Sequence, residues 1–258
     1  MDDPTAYGPE QPLQEQLVVF AKEFGDLYRS QRLHSDELKR ALRELEETHA
    51  STIQTLASLV EVREPSKEGG HLERLRDLAM ELTRQVEPEL ADAADLSAGF
   101  LLHDIGVMGI PEQILAKEGP LTDEEWFEMR RHPLLGAELV RPMTFLGDAA
   151  QVIMYHHERF DGTGYPSGLN GELIPLPARI FSVVDAFDAM TSDRPYRRAM
   201  AEGEAFEELT RGRGSQFDPG VVDAFLRLTK DGSPAPAAAV GSAKGSSGTG
   251  SPVRATRI

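Results

Sequence analysis

Residues 180–190 read Ile-Phe-Ser-Val-Val-Asp-Ala-Phe-Asp-Ala-Met, an apolar segment that is interrupted by two aspartates. The segment lacks the alternation of apolar and polar residues that marks a half-buried strand, so it predicts a buried helix. Asp185 and Asp188 are unusual in such a helix, because an unpaired carboxylate in apolar surroundings costs several kcal/mol. Asp185 in particular therefore requires a partner.

Helical periodicity extends on both sides of this segment, from His71 to about Lys230. Apolar faces recur upstream, at Leu72, Leu75, Leu78, Ala79 and Leu82 and again at Ala94, Leu96, Phe100, Leu101 and Leu102. Thr122, followed three residues later by Glu125, is a capping-box helix start, and Pro133 suits the first turn of a further helix. A helix is also expected over 149–157. We therefore predict an all-α fold.

The N-terminal region, residues 1–62, is predicted to form a long coiled-coil-like helix from Leu13 to about Arg63. Its apolar residues follow steps of three and four that are typical of a coiled-coil seam, with one extra step of four between Leu38 and Leu42. Two interpretations remain open: a helix that packs on its own domain, or a parallel homodimer helix that couples a partner's motion to the rest of the chain. His34 and His49 are expected on the surface or at an interface of this helix.

A second boundary follows Lys230, where the composition changes to glycine, serine, alanine and proline without an aromatic residue. Such a segment cannot bury enough surface to offset chain entropy. We therefore predict a helical domain over 63–230 and a disordered tail over 231–258.

Composition excludes several classes of function. The 258 residues carry 43 acidic and 27 basic side chains, a formal net charge of −16, and no cysteine. Thiolate chemistry and disulfides are therefore absent, and the acidic balance argues against binding to a nucleic acid polymer. No stretch is apolar for long enough to span a membrane. Residues 1–10 do not resemble a secretory signal peptide, so a cytoplasmic protein is expected.

Histidines are the feature that points to chemistry, since five of the seven lie between residues 71 and 157. Imidazole and carboxylate groups are the ligands of first-row metals such as iron, manganese and zinc. Two such ions could activate a water and hold a phosphoryl group for in-line attack. Five histidines and two aspartates are about what two ions require.

One ordered set of motifs resembles a known family. The motifs occur along the chain as His71, His103-Asp104-Ile105-Gly106, His132, His156-His157, Asp161-Gly162-Thr163-Gly164-Tyr165-Pro166, Asp185 and Thr191-Ser192-Asp193-Arg194-Pro195-Tyr196-Arg197. In this order they resemble the HD-GYP division of the HD-domain phosphohydrolases, over residues 61–229. The resemblance implies an HD-type helical bundle that hydrolyses cyclic di-GMP to pGpG or GMP in bacterial signalling, through a hydroxide held by two metal ions.

The resemblance also implies a set of metal ligands. One divalent ion, expected to be iron or manganese, would be held by His71, His103, Asp104 and Asp185. Asp104 would bridge to a second ion held by His132, His156 and His157, which makes Asp104 a catalytic residue as well as a ligand. Adjacent Glu158 and Arg159 are interpreted either as groups that orient the two histidines or as a local ion pair.

Substrate contacts follow from the same resemblance. Arg194 and Arg197 would face the phosphates, with Asp188 nearby as a catalytic group. The loop 161–171, which carries Tyr165, would flank the pocket. Lys117 and Arg179 occupy recurrent family positions and are also assigned to the substrate.

The sequence departs from the family at two positions. Val107 stands where most active members have a lysine that reaches a substrate phosphate, a contact worth roughly 1.5–3 kcal/mol. Lys67, four residues before His71, stands where members with a third metal have a glutamate, so two metals are expected. Three functions remain open: a cyclic di-GMP phosphodiesterase, a catalytically weak module that binds ligand or signalling partners, and a phosphohydrolase for another cyclic dinucleotide.

Overall fold

The computed structural model describes residues 13–63, 70–93, 95–117, 119–147, 149–193 and 198–230. Its α-helices are α1 Leu13–Arg63, α2 His71–Val86, α3 Pro88–Ala91, α4 Leu96–Leu101, α5 Glu112–Leu115, α6 Asp123–Met129, α7 His132–Val140, α8 Ala149–Tyr155, α9 Leu176–Thr191, α10 Glu202–Arg211 and α11 Pro219–Lys230. Three short 3-10 helices span Ile105–Gly109, Thr144–Leu146 and Gly171–Leu173. Within the described ranges β-structure is limited to two isolated bridges, so the all-α prediction is confirmed.

Local sequence signals account for several helix ends. The Thr122 hydroxyl accepts a hydrogen bond from the Glu125 backbone N–H, and the Glu125 carboxylate accepts one from the Thr122 N–H, which completes the predicted capping box at α6. Pro133 lies in the first turn of α7, where its missing N–H costs nothing. The predicted helix over 149–157 ends two residues earlier, at Tyr155.

Contacts divide the chain into two compact units, with the division between Leu59 and Val60. The first unit contains most of α1, and many of the large apolar side chains of this helix are exposed, for example Leu38 at 72%. None of the described helices is long and apolar enough to cross a membrane. The predicted tail 231–258 and Lys67 lie outside the described residues.

The second unit is built around α9, the helix that contains the opening segment of the sequence. Helix α9 packs against α2, α8, α10 and α11. The Phe181 ring stacks on Phe100 with centroids 5.3 Å apart, and Phe187 contacts Phe225 at 5.0 Å. These rings are fully buried, and each contributes roughly 1.5–3 kcal/mol by leaving water. The predicted burial of α9 is therefore confirmed, and its core also supports the site described below.

Candidate metal centre

The His103-Asp104 pair lies at a tight turn between α4 and the 3-10 helix Ile105–Gly109. Gly106 in this 3-10 helix lies directly against α7. A Cβ atom at Gly106 would be 1.8 Å from the His132 carbonyl oxygen and 2.5 Å from the Gly136 nitrogen. Only glycine permits this approach, so the Ile-Gly that follows His103-Asp104 brings that pair close to His132.

Three further histidines reach the same place from two other segments. His132 is the first residue of α7, and His156 and His157 directly follow the last residue of α8. Helix α7 packs against both the 3-10 helix and α8. The histidines thus come from chain positions that are far apart in sequence and meet only through the packing of these helices.

Asp104 lies at the centre of the cluster. Its Oδ2 atom is 3.0 Å from His103 Nε2, and its Oδ1 atom is 3.2 Å from His132 Nε2 and 3.5 Å from His156 Nε2. Asp104, His132, His156 and His157 each have a potential ligand atom within 4.8 Å of those of the other three. The imidazoles of His103, His132 and His156 are almost entirely buried.

Backbone carbonyls determine which nitrogen of each ring carries the proton. Nδ1 of His103 is 3.0 Å from the Phe100 oxygen, and Nδ1 of His132 is 2.9 Å from the Met129 oxygen. His156 Nδ1 makes the same kind of contact with the Ile153 oxygen at 3.0 Å. A carbonyl can only accept, so each Nδ1 must donate and each neutral ring presents a lone pair on Nε2.

The donor set fits a divalent cation. The Nε2 atoms of His132 and His156 are 3.4 Å apart, and both face the Asp104 carboxylate. Lone pairs that converge in this way repel each other unless a proton or a cation lies between them. Two ligands about 2.1 Å from one ion would be separated by roughly 3.0–3.4 Å, which agrees with these distances. Hydrogen bonds from the outer nitrogens orient metal-binding histidines in the same manner.

Protonation of the cluster is shifted toward the state that binds metal. Burial raises the pKa of Asp104, but His103, His132 and His156 lower it by charge and hydrogen bonding when their Nε2 atoms hold a proton, and these effects outweigh burial and hold the pKa well below its usual range. Burial lowers the pKa of His156, and burial together with the charge of His156 lowers the pKa of His157 further. A neutral imidazole beside an ionised carboxylate is the combination that a cation requires.

His71 lies in a second buried contact. Its Nε2 atom is 3.5 Å from Asp188 Oδ2, and both residues are less than 5% exposed. Asp188, predicted as a catalytic group, is therefore a direct neighbour of a predicted metal ligand, which the sequence did not indicate. Asp185 precedes it by one turn on α9, and its charge contributes to the raised pKa of Tyr165.

The loop with the Gly-Tyr-Pro motif covers one edge of the cluster. The Tyr165 ring stacks on the His157 ring with centroids 4.8 Å apart. The backbone N–H of Tyr165 donates a hydrogen bond to the backbone oxygen of His157 at 3.2 Å. Glu158 is buried and accepts hydrogen bonds from the backbone N–H groups of Ser167 and Leu169. Glu158 therefore organises the loop, a role that differs from both sequence interpretations.

Close packing also explains the glycine of this motif. A Cβ atom at Gly164 would be 2.3 Å from the Arg159 nitrogen and 2.6 Å from the Glu158 Cα. Arg159 itself bonds Asp161 and the Thr163 hydroxyl. Arg159 therefore pairs with Asp161 within the loop, and not with Glu158 as one of the two sequence interpretations proposed.

Two of the residues predicted to contact the substrate, Lys117 and Arg179, bind other protein groups in the structure. Lys117 forms a salt bridge with Glu125, and the Arg179 guanidinium binds Asp218 and the Ile174 oxygen. The structure thus engages both cations in contacts with the protein, and we leave them out of the proposed substrate site. Arg194 and Arg197 lie outside the described residues. Val107 is 3% exposed in the 3-10 helix that follows Asp104.

Comparison with known proteins now defines the class. The family described as "HD domain" matches residues 54–221. The response regulator RpfG of Xanthomonas campestris pv. campestris, named a cyclic di-GMP phosphodiesterase, is 40% identical over 192 residues, which cover 74% of this chain and 50% of that protein. A Vibrio cholerae protein named 3'3'-cGAMP-specific phosphodiesterase 2 is 33% identical over 186 residues, 71% of this chain and 35% of the relative. The chain spans about half or less of the length of these curated relatives.

A solved structure shares the fold. The Bdellovibrio bacteriovorus protein Bd1817, described as an HDG"Y"P protein, aligns with a TM-score of 0.51 at 19% identity, over 72% of this chain and 62% of the other. The chain therefore belongs to the HD-domain family. Its intact Gly-Tyr-Pro motif, together with the relatives named cyclic di-GMP phosphodiesterases, assigns it to the HD-GYP division of that family.

Proposed function

We propose that the chain is a metal-dependent phosphodiesterase that hydrolyses cyclic di-GMP to pGpG or GMP. The observation that carries the proposal is the convergence of imidazole Nε2 atoms on both oxygens of Asp104. RpfG of Xanthomonas campestris pv. campestris, at 40% identity, is named for this activity. The proposed ligands are the sequence-predicted set, His71, His103, Asp104, His132, His156, His157 and Asp185, with two ions of iron or manganese.

A bound divalent cation supplies Lewis-acid chemistry at a phosphodiester and lowers the pKa of water. The chain's own residues supply the rest. Asp104 contributes both carboxylate oxygens at the centre of the cluster, and buried neutral imidazoles complete the donor set. The Glu158-anchored loop holds Tyr165 over His157 and limits the access of solvent on that side.

The test couples metal analysis to turnover. Protein loaded anaerobically with iron or manganese is incubated with cyclic di-GMP, while the metal content is quantified in the same sample. Linear pGpG or GMP should form, and two ions per chain should be present. Full metal occupancy without turnover on cyclic di-GMP would rule out the proposed activity.

Val107 supports a second candidate, a catalytically weak HD-GYP domain that binds cyclic di-GMP or signalling partners. The side chain at this position cannot offer a charge to a phosphate, and its surroundings are buried. Val107→Lys discriminates between the two functions. Turnover that appears only in the variant favours the binding module, and turnover in the wild-type protein excludes it.

A third candidate is hydrolysis of another cyclic dinucleotide, favoured by the 33% identical relative that is named for 3'3'-cGAMP. The two substrates share the phosphodiester ring and differ in one base, so the metal cluster alone does not discriminate between them. Parallel initial rates with cyclic di-GMP and 3'3'-cGAMP separate the two activities.

The cytoplasmic location and the domain limits 1–62, 63–230 and 231–258 stay predictions.

Homodimerisation through α1 is proposed as a route for regulation. Apolar residues of the predicted seam are exposed, including Phe20, Phe24, Leu38 and Leu42. Exposed apolar residues at heptad spacing favour a two-helix coiled coil. A second copy of the chain is the partner that this self-complementary stripe fits.

Light scattering on the full chain tests this arrangement. The double variant Leu38→Glu, Leu42→Glu should halve the mass, because charges in the seam repel. Leu33→Glu is the matched control, since Leu33 is 65% exposed but lies off the predicted seam. A wild-type mass equal to one chain would contradict the dimer.

A further inference from the structure

Arg130 lies beside the cluster and was not part of the predicted site. It directly follows α6 and precedes His132 by two residues. Its side chain is exposed, yet it is positioned by two aromatic rings. The guanidinium carbon is 5.5 Å from the Tyr165 ring centroid and 5.9 Å from that of Trp126. Such cation–π contacts hold an arginine in place without using its N–H groups.

Tyr165 connects Arg130 to the proposed metal ligands. The same ring that contacts Arg130 stacks on His157, and its centroid is 6.5 Å from that of His132. The positive charge of Arg130 therefore acts on the same small region as the central carboxylate of the cluster.

The pairing of cations distinguishes Arg130 from its neighbours. Arg131 pairs with Glu128 at 2.7 Å, Arg159 with Asp161 at 3.1 Å, and Lys117 with Glu125. Arg130 forms no ion pair with any residue that the structure describes. Its planar fork of N–H donors is therefore available to an anion with paired oxygens, and a phosphate has this geometry.

We propose that Arg130 is a substrate-binding residue that donates to a phosphate of the cyclic dinucleotide at the Tyr165 edge of the cluster. The inference rests on the proposed function for the identity of the ligand. It supplies a cation to a site in which Val107 offers none. Trp126 and Tyr165 are positioning residues, because they hold the guanidinium over their rings.

The test uses the metal-loaded full chain and compares Arg130→Ala with Arg131→Ala. Arg131→Ala removes an equal charge from the adjacent residue and serves as the matched control. Arg130→Ala should raise the KM for cyclic di-GMP at least tenfold, with an unchanged metal content, and Arg131→Ala should stay within twofold of wild type. Arg130→Lys should recover part of the loss, since it keeps the charge but loses the fork.

Binding measurements separate this inference from the proposed activity. Calorimetry gives the Kd of cyclic di-GMP and of 3'3'-cGAMP, and the single tryptophan of the chain, Trp126, should change its fluorescence when a ligand reaches Arg130. If wild type binds a dinucleotide without hydrolysing it, the activity fails, and a tenfold weaker Kd in Arg130→Ala still supports this site. An Arg130→Ala variant with wild-type KM and Kd overturns it, as does a metal-loaded wild type that binds neither dinucleotide.

Discussion

His34 in α1 and His156 beyond α8 make the same local hydrogen bond and have different surroundings. His34 Nδ1 is 2.9 Å from the Ser30 oxygen, and His156 Nδ1 is 3.2 Å from the Val152 oxygen, in both cases four residues earlier in the chain. The helix thus assigns the same proton position to both rings. His34 is exposed, whereas His156 is buried with its Nε2 atom 3.5 Å from Asp104. Local structure sets the tautomer, and only tertiary packing supplies the other ligands.

One glycine in each region can be replaced to extend this comparison, and Gly106→Ala should give the largest change in stability. Gly106→Ala places a methyl group against the His132 carbonyl and should cost about 3 kcal/mol or more. Gly25→Ala in α1 meets nothing within 4 Å and should stabilise the helix by about 0.5–1 kcal/mol. Thermal unfolding measures both, with an expected loss of more than about 6 °C for Gly106→Ala. A neutral Gly106→Ala would mean that the turn and α7 are not in contact.

Matched histidine variants test the two environments directly. His156→Gln should weaken metal binding by more than about 100-fold, because even residues that only support ligands contribute 10–100-fold. His34→Gln should leave metal content and turnover unchanged, since its ring faces solvent. Metal quantitation after dialysis checks both variants, and circular dichroism confirms that each is folded. Equal metal loss in the two variants would contradict the assignment of the site.

Acid should also destabilise the metal-free protein, with a smaller effect than the two preceding substitutions at Gly106 and His156. The pKa values of His156 and His157 are lowered in the folded state, mainly by burial. The unfolded chain therefore takes up protons first, near pH 6.5. The free energy of unfolding is therefore not reduced by these groups above that pH. As the pH falls toward the folded pKa values, it decreases by roughly 1.4 kcal/mol per pH unit for each group.

Urea unfolding of the metal-free protein between pH 7.5 and 5 measures this slope. The His156→Gln variant should show a shallower slope, and His34→Gln should keep the wild-type slope because both His156 and His157 are intact. A stability that does not change over this range would show that folding does not lower the pKa values of His156 and His157.

Much of the fold followed from local patterns. The start of α6 was predictable because Thr122 and Glu125 satisfy each other's backbone within one turn. Helix α9 was predictable because an apolar segment with helical spacing has few alternatives. The short 3-10 helices were not predicted, since Ile105–Gly109 depends on contact with α7. A pattern of a few residues contains no record of such a contact.

The site was predictable in part: the sequence located the proposed metal ligands better than the cations assigned to the substrate. The proposed ligands His103, Asp104, His132 and His156 converge as expected, because their buried side chains need partners. The cations Lys117 and Arg179 do not, since the partly buried carboxylates of Glu125 and Asp218 compete for them. Arg130 gave no signal in the sequence, because its contact with Tyr165 joins two segments that are far apart in the chain.

By itself, the sequence determined an all-helical chain with clustered histidines, an ordered series of HD-type motifs and a Gly-Tyr-Pro loop. These properties depend on residue type and on spacing within one or two turns. Tertiary structure alone decided that His71 faces Asp188, that Glu158 anchors the loop, and that Arg130 keeps its donors unpaired by any described residue. The physical reason is that burial and ion pairing depend on distances between segments, which the chain sets only when its helices pack.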